Sequence, residues 1–115
     1  MEQLKSLSEE QLKILSNDLR QQIIEVVSKN GGHLSSNLGV VELTVMLHKV
    51  FDTPKDQLIF DVSHQTYAHK ILTGRKEEFN TLRQYQGISG FSKPDESNYD
   101  VFSSGHSSTA VSLAI

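Results

Sequence analysis

Three of the five histidines in this chain sit among small residues, the setting in which a ligand can reach both an imidazole and the backbone beside it. His33 lies in Gly31-Gly32-His33-Leu34-Ser35-Ser36, His64 in Asp61-Val62-Ser63-His64-Gln65, and His106 in Gly105-His106-Ser107-Ser108-Thr109. A neutral imidazole can bond an anion or pass a proton near neutral pH, which no other unperturbed side chain does. The third stretch adds hydroxyls and backbone N–H groups at what reads as a helix start, a seat for an anion. Plainer uses compete: histidines hydrogen-bonded to backbone, and Ser107 and Ser108 acting only as helix caps. Metal binding is the weaker use, because no two histidines have the i, i+4 spacing of a zinc-binding helix and no acidic cluster offers oxygen ligands. His48, inside an apolar segment, and His69, beside Lys70, read as structural or solvent-facing. Lys70, Arg75 and Lys76 could attract a phosphate, although a solvated helix face is the commoner reason for such a group.

The elements that must position these groups follow from periodicity. Residues 8–30 predict a helix: Ser8 caps it with Gln11 as capping-box partner, and Leu12, Leu15, Leu19, Ile23, Val26 and Val27 recur at helical spacing. Asn30-Gly31-Gly32 supplies its left-handed stop. Residues 37–51 predict a largely buried helix, ended by Asp52-Thr53-Pro54. Leu58-Ile59-Phe60-Asp61-Val62 is short and apolar apart from Asp61, which predicts a buried parallel strand. Helices over 65–73 and 75–84 follow, separated by Gly74. Residues 86–98 then read as a surface loop, Val101-Phe102 as part of a second strand, and the segment after His106 as a last helix. Helices interleaved with short apolar strands predict an α/β fold with a parallel sheet. In such sheets ligands bind beyond the carboxyl ends of the strands, where His64 and His106 fall; His33 can join them only through tertiary folding.

Composition bounds the function classes. The 115 residues carry 11 Lys+Arg against 14 Asp+Glu, a formal net charge of −3, and no cysteine. Disulfides, thiolate catalysis and cysteine-held metals are therefore excluded. The mild, scattered acidity argues against a nucleic-acid surface, no apolar run is long enough for a membrane span, and the N-terminus lacks a signal-peptide pattern, which together suggest a cytoplasmic protein. The last helix reaches Ile115 without a stop signal, which leads us to expect a fragment of a larger domain.

The strings Gly-Gly-His-Leu-Ser-Ser-Asn-Leu-Gly-Val-Val-Glu-Leu-Thr at 31–44, Asp61-Val62-x-His64-Gln65-x-Tyr67-x-His69-Lys70-Ile71-Leu72-Thr73-Gly74-Arg75, and Glu96-Ser97-x-Tyr99-Asp100 followed by Gly105-His106-Ser107-Ser108-Thr109 carry a resemblance. From Leu4 to Ile115 the chain resembles the N-terminal region of the 1-deoxy-D-xylulose-5-phosphate synthases, within the wider transketolase group. The resemblance implies the N-terminal part of a thiamine diphosphate-binding domain in a homodimeric enzyme of isoprenoid and thiamine biosynthesis. That enzyme would join pyruvate to glyceraldehyde 3-phosphate with loss of CO2, using thiamine diphosphate and Mg2+. It further implies that His64, the Gly105-His106-Ser107 turn and Ser36 contact the cofactor and that His33 faces the reacting carbon and transfers protons. The metal ligands of the family lie in a Gly-Asp-Gly motif downstream of Ile115, so 1–115 alone is expected to be inactive. Ser63 stands where the family usually has Gly, Phe60 where Trp is common, and Ala68 where Pro is frequent. These departures leave open a paralogue with another acceptor; a non-catalytic interaction module is the other alternative.

Overall fold

The computed structural model describes residues 2–103 and 105–115, the side chain of Glu2 excepted; Ser104 lies outside the described residues. A single turn, α1 (Glu2–Lys5), leads into the long helix α2 (Glu9–Asn30). The capping box forms as its spacing predicts: the Gln11 N–H donates to Ser8 Oγ at 3.2 Å and the Ser8 N–H to Gln11 Oε1 at 2.9 Å. Such a cap stabilises a helix by about 1 kcal/mol. At the other end Gly31 takes φ 80° and its N–H closes on the Val27 carbonyl at 2.9 Å, which stops the helix. Leu12, Leu19, Ile23 and Val26 form the buried stripe of α2, with Leu15 and Val27 packed at its margin.

The second predicted helix is two. A turn, α3 (Ser35–Leu38), is separated by Gly39 and Val40 from α4 (Val41–Val50), because Val40 at φ −120° and ψ 13° leaves helical geometry. Val41, Val45 and His48 of α4 are buried. Helices α1 and α4 close each other's ends. Lys5 Nζ donates to the carbonyls of His48, Lys49 and Phe51 at the C-terminus of α4, while Lys49 Nζ donates to those of Lys5 and Leu7. Two ammonium groups thus satisfy carbonyls that a helix leaves unpaired and that carry its negative pole.

No strand forms among the described residues. Leu58, Ile59 and Phe60 line a groove with Val40, Leu43 and Leu47, and the parallel sheet expected from this segment and from Val101-Phe102 is not built. A strand exists only where a neighbour completes its ladder, and among the described residues no ladder of backbone hydrogen bonds joins this segment to another. The chain instead turns sharply, with Val62 at φ 60° and Ser63 at φ 68°. This is the left-handed region that favours glycine. Ser63 is fully buried there, and its hydroxyl accepts the Ser92 N–H at 3.0 Å.

The helices expected over 65–73 and 75–84 are shorter. A turn of helix, α5 (Tyr67–Lys70), runs on into Ile71–Arg75, where Thr73 and Gly74 break the helical path, and a further turn spans Glu78–Thr81. Residues 86–98 are a loop, yet Ile88 and Ser92 are buried, so the segment is part of the core margin. The last element, α6 (Ala110–Ala114), has no buried residue.

What holds α5 to this loop is a buried polar network. Arg75 grips Asp100 with two bonds of 2.8 Å, and the Lys93 N–H reaches the same carboxylate at 2.8 Å. His69 Nε2 completes the set at 3.0 Å. Glu96 accepts from Lys70 Nζ at 2.7 Å, from Arg75 at 3.0 Å and from the Ser89 N–H at 2.6 Å. Lys70 and Arg75 therefore face inward as paired charges and are neither a solvated face nor a phosphate patch, whereas Lys76 is exposed. His48 and His69, the two read as structural or solvent-facing, are both buried and are joined at 2.9 Å, with His48 Nδ1 at 3.0 Å from Thr53 Oγ1. An ionised Asp100 requires a proton on His69 Nε2, so His69 Nδ1 accepts from His48 Nε2–H and the Thr53 hydroxyl donates to His48 Nδ1.

Burial, with the neighbouring His69 and Lys5, pushes the His48 imidazole down to about 4 from its ordinary 6.5. Burial opposes ionisation of Asp100, but the bonds from Arg75, His69 and Lys93 outweigh it and hold the carboxyl below the usual range. Between pH 6.5 and about 4 the folded chain binds fewer protons at His48 than the unfolded chain, so stability falls as pH drops through that window. The expected loss is about 3 kcal/mol, and Asp100 extends it at lower pH. Denaturant titrations across pH should show this slope, and His48→Gln should flatten its upper part; an unchanged slope would assign it to another group. At Ser63, Ser63→Gly relieves about 1–2 kcal/mol of left-handed strain but strands the buried Ser92 N–H at a cost of about 1–3 kcal/mol, so the two effects largely cancel. Ser63→Ala keeps the strain and strands the Ser92 N–H, and should lose about 1–3 kcal/mol in the same assay.

Candidate functional site

His33 and His64 meet. Their rings are 5.1 Å apart between centroids and inclined at 64°, edge to face, and Phe91 lies 6.3 Å from His33. Neither histidine belongs to a regular element: His33 follows the glycine stop of α2 and His64 the left-handed turn at Val62-Ser63. Their proximity is enforced by Asn37, which is 1% exposed. Asn37 Nδ2 donates to the His33 carbonyl at 2.6 Å and to the His64 carbonyl at 2.8 Å, while Oδ1 accepts the Tyr67 N–H at 2.9 Å. The Tyr67 hydroxyl in turn accepts the His33 N–H at 3.2 Å. A Cβ at Gly32 would come within 2.7 Å of that hydroxyl, and Gly32 sits at φ 136°, so this approach needs glycine.

The two rings differ in surroundings. His33 is exposed, whereas His64 is half-buried and its Nδ1 is buried with no hydrogen-bond partner among the described residues. A buried nitrogen of that kind is costly unless something bonds it. The pair thus sets an imidazole that faces solvent and can move a proton beside one whose Nδ1 is buried and unpartnered.

Gly105, His106 and Ser107 are exposed, and among the described residues no hydrogen bond or ring contact joins His106 to His33 or His64. The N–H groups of Ser108, Thr109 and Ala110 donate to the Asp61 carboxylate at 2.9, 2.9 and 3.2 Å. The anion received at the start of α6 is thus a side chain of the protein, and neither Ser107 nor Ser108 caps the helix with its hydroxyl. The N–H groups of Ser108, Ala110 and Thr109 hold the Asp61 carboxyl below its ordinary range, with His64 adding to the effect. Asp61 therefore ties the His106 segment to the His64 turn. Ser36 is half-buried on α3, one helical turn beyond His33.

Sequence reasoning does not single out Asn37, Tyr67 or Asp61 as site residues. Asp61 carries one signal, as the lone charge in an apolar run. Asn37 and Tyr67 carry none, because, apart from the Asn37 bond to the His33 carbonyl four residues back, their partners lie 27 to 34 residues away. Among the described residues no group of three or more His, Asp or Glu could hold a metal ion, and no helix is long and apolar enough to cross a membrane.

Comparison with known proteins bears on the identity of the ligand. The family model described as 1-deoxy-D-xylulose-5-phosphate synthase matches residues 1–115. A protein of that name from Geobacillus sp. (strain WCH70) is 62% identical over 112 residues, which are 97% of this chain and 18% of the relative. One from Treponema pallidum (strain Nichols) is 63% identical over 111 residues, 96% of this chain and 18% of the relative. One from Macrococcus caseolyticus (strain JCSC5402) is 62% identical over 112 residues, 97% of this chain and 18% of the relative. The chain thus spans less than a fifth of the length of these relatives. With the whole of its sequence matched and three-fifths of it identical to such relatives, it belongs to the 1-deoxy-D-xylulose-5-phosphate synthase family.

Proposed function

We propose that residues 1–115 form the N-terminal part of the thiamine diphosphate-binding domain of a cytoplasmic, homodimeric transferase. That enzyme condenses pyruvate with glyceraldehyde 3-phosphate, with loss of CO2, to give 1-deoxy-D-xylulose 5-phosphate. The observation that carries this reading is the His33–His64 pair, with an exposed imidazole beside a buried, unpartnered Nδ1. In this reading 58–62 joins a parallel sheet whose other strands come from the rest of the enzyme, and the Mg2+ ligands lie there too. The 115 residues alone are then inactive.

Thiamine diphosphate supplies a carbon nucleophile that stabilises negative charge after decarboxylation. The chain's own residues bind, orient and move protons. His64 would hold the cofactor through its imidazole, whose Nδ1 has no partner among the described residues. Because Asp61 takes the N–H groups of Ser108, Thr109 and Ala110, anion contacts fall to the turn before them, Gly105, His106 and Ser107. Ser36 would contact the thiamine portion. His33, exposed and held through its backbone, gives and takes protons at its imidazole.

The test is turnover by the whole enzyme supplied with pyruvate, glyceraldehyde 3-phosphate, thiamine diphosphate and Mg2+, read as CO2 released and ketose phosphate formed. Absence of turnover refutes the assignment. His33→Ala should lower kcat by about 100-fold or more while changing cofactor affinity little. His64→Ala should instead weaken cofactor binding by about tenfold, the effect of losing one buried hydrogen bond, with a smaller effect on kcat at saturation. Equal effects of the two substitutions on both quantities would remove the division of roles.

A further inference from the structure

We propose that Asn37 and Tyr67 are positioning residues, a clip that sets the exposed imidazole of His33 against His64; the inference rests on the reading of these histidines given above. Gly31 and Gly32, at φ 80° and 136°, precede His33, so the backbone leading into it has little intrinsic preference for one path. What selects the path is a pair of hydrogen bonds, one to each peptide group of His33. The N–H goes to Tyr67 Oη at 3.2 Å and the carbonyl takes Asn37 Nδ2 at 2.6 Å.

The same Asn37 Nδ2 takes the His64 carbonyl at 2.8 Å, and Oδ1 takes the Tyr67 N–H at 2.9 Å. All three partners have a fixed polarity, two acceptors and one donor, so only one orientation of the carboxamide satisfies them. One side chain therefore measures the distance between two loops that have no backbone hydrogen bond to each other among the described residues. The Tyr67 ring is fully buried and packs edge-on against Phe79 at 5.7 Å, so its hydroxyl is presented from the rigid part of the fold. The clip touches backbone at both histidines and neither imidazole, which leaves both rings available for a ligand.

The discriminating variants are Tyr67→Phe, which deletes only the acceptor of the His33 N–H, and Asn37→Asp, which keeps size and the bond from Tyr67 but replaces two donations to carbonyls by oxygen facing oxygen. In the whole enzyme each should lower kcat by about 10- to 100-fold with a much smaller change in the KM for thiamine diphosphate, as expected for a displaced proton-transfer group. In a His33→Ala background Tyr67→Phe should cause no further fall, because it acts through the imidazole already removed. Amide hydrogen exchange at His33 should quicken in Tyr67→Phe whatever the activity. An unchanged kcat with unchanged exchange would overturn the proposal, and so would an equal fall of kcat with and without the His33 imidazole. Should Tyr67→Phe destabilise the fold, Asn37→Asp tested in both backgrounds decides by the same two criteria. Faster His33 exchange with kcat indifferent to His33→Ala would support the clip and overturn the proton-transfer reading, which separates the two.

Discussion

The fold depends on a buried carboxylate being fully satisfied. Asp100 is 3% exposed and receives both arms of Arg75, the Nε2–H of His69 and the Lys93 N–H. Taking a carboxylate out of water costs several kcal/mol, and only such complete partnering of its two oxygens offsets it. The requirement has structural consequences. It draws the 89–100 loop against α5 and the turn after it, sets the tautomers of His69 and His48 in series, and places Glu96 where Lys70 and Arg75 are both neutralised. With two acids and two bases the cluster carries no net charge when both histidines are neutral, which suits its burial. It contributes geometric definition to a chain whose regular elements beyond α2 and α4 are each five residues or fewer.

From that cluster the candidate site is positioned through two layers. The network fixes α5, α5 carries Tyr67, and Tyr67 with Asn37 holds the loops of His33 and His64. The loop side is held from the other direction: the Ser63 hydroxyl binds the Ser92 N–H, and Ser92 donates to the Phe102 carbonyl, which places Phe91 beside His33. Serine in a left-handed turn is a local cost that glycine would avoid. Its hydroxyl recovers part of that cost by tying the His64 turn to the loop. Asp61 adds a third tie, to the start of α6. The histidines are thus held through their backbones by neighbours, and their rings stay available.

How much of this is legible in the sequence depends on the range of the interaction that decides each feature. Helix α2, its capping box and its glycine stop are set by residues within four positions of one another, and they form as spacing predicts. Periodicity over 37–51 predicts one helix and misses the break at Val40, since the apolar pattern continues across it. Leu58–Val62 has the composition of a strand but no neighbour among the described residues to pair with, so it cannot show as one. His33 and His64 stand out by their small neighbours, and the structure brings them together. At 105–109 the Ser108 N–H meets the carboxylate of Asp61, 47 residues away, a partner that local spacing does not announce.

The sequence by itself therefore determined the long helix, the family and the residue types able to bind and move protons, all of which follow from short-range spacing or contiguous motifs. Only the tertiary structure decided which histidines face each other and which are sealed away, and that Lys70 and Arg75 are buried partners of Glu96 and Asp100. The reason is physical: a buried polar group must find its complement wherever in the chain it lies. Nothing in the local sequence around Asn37 or Asp100 records the loops that satisfy them.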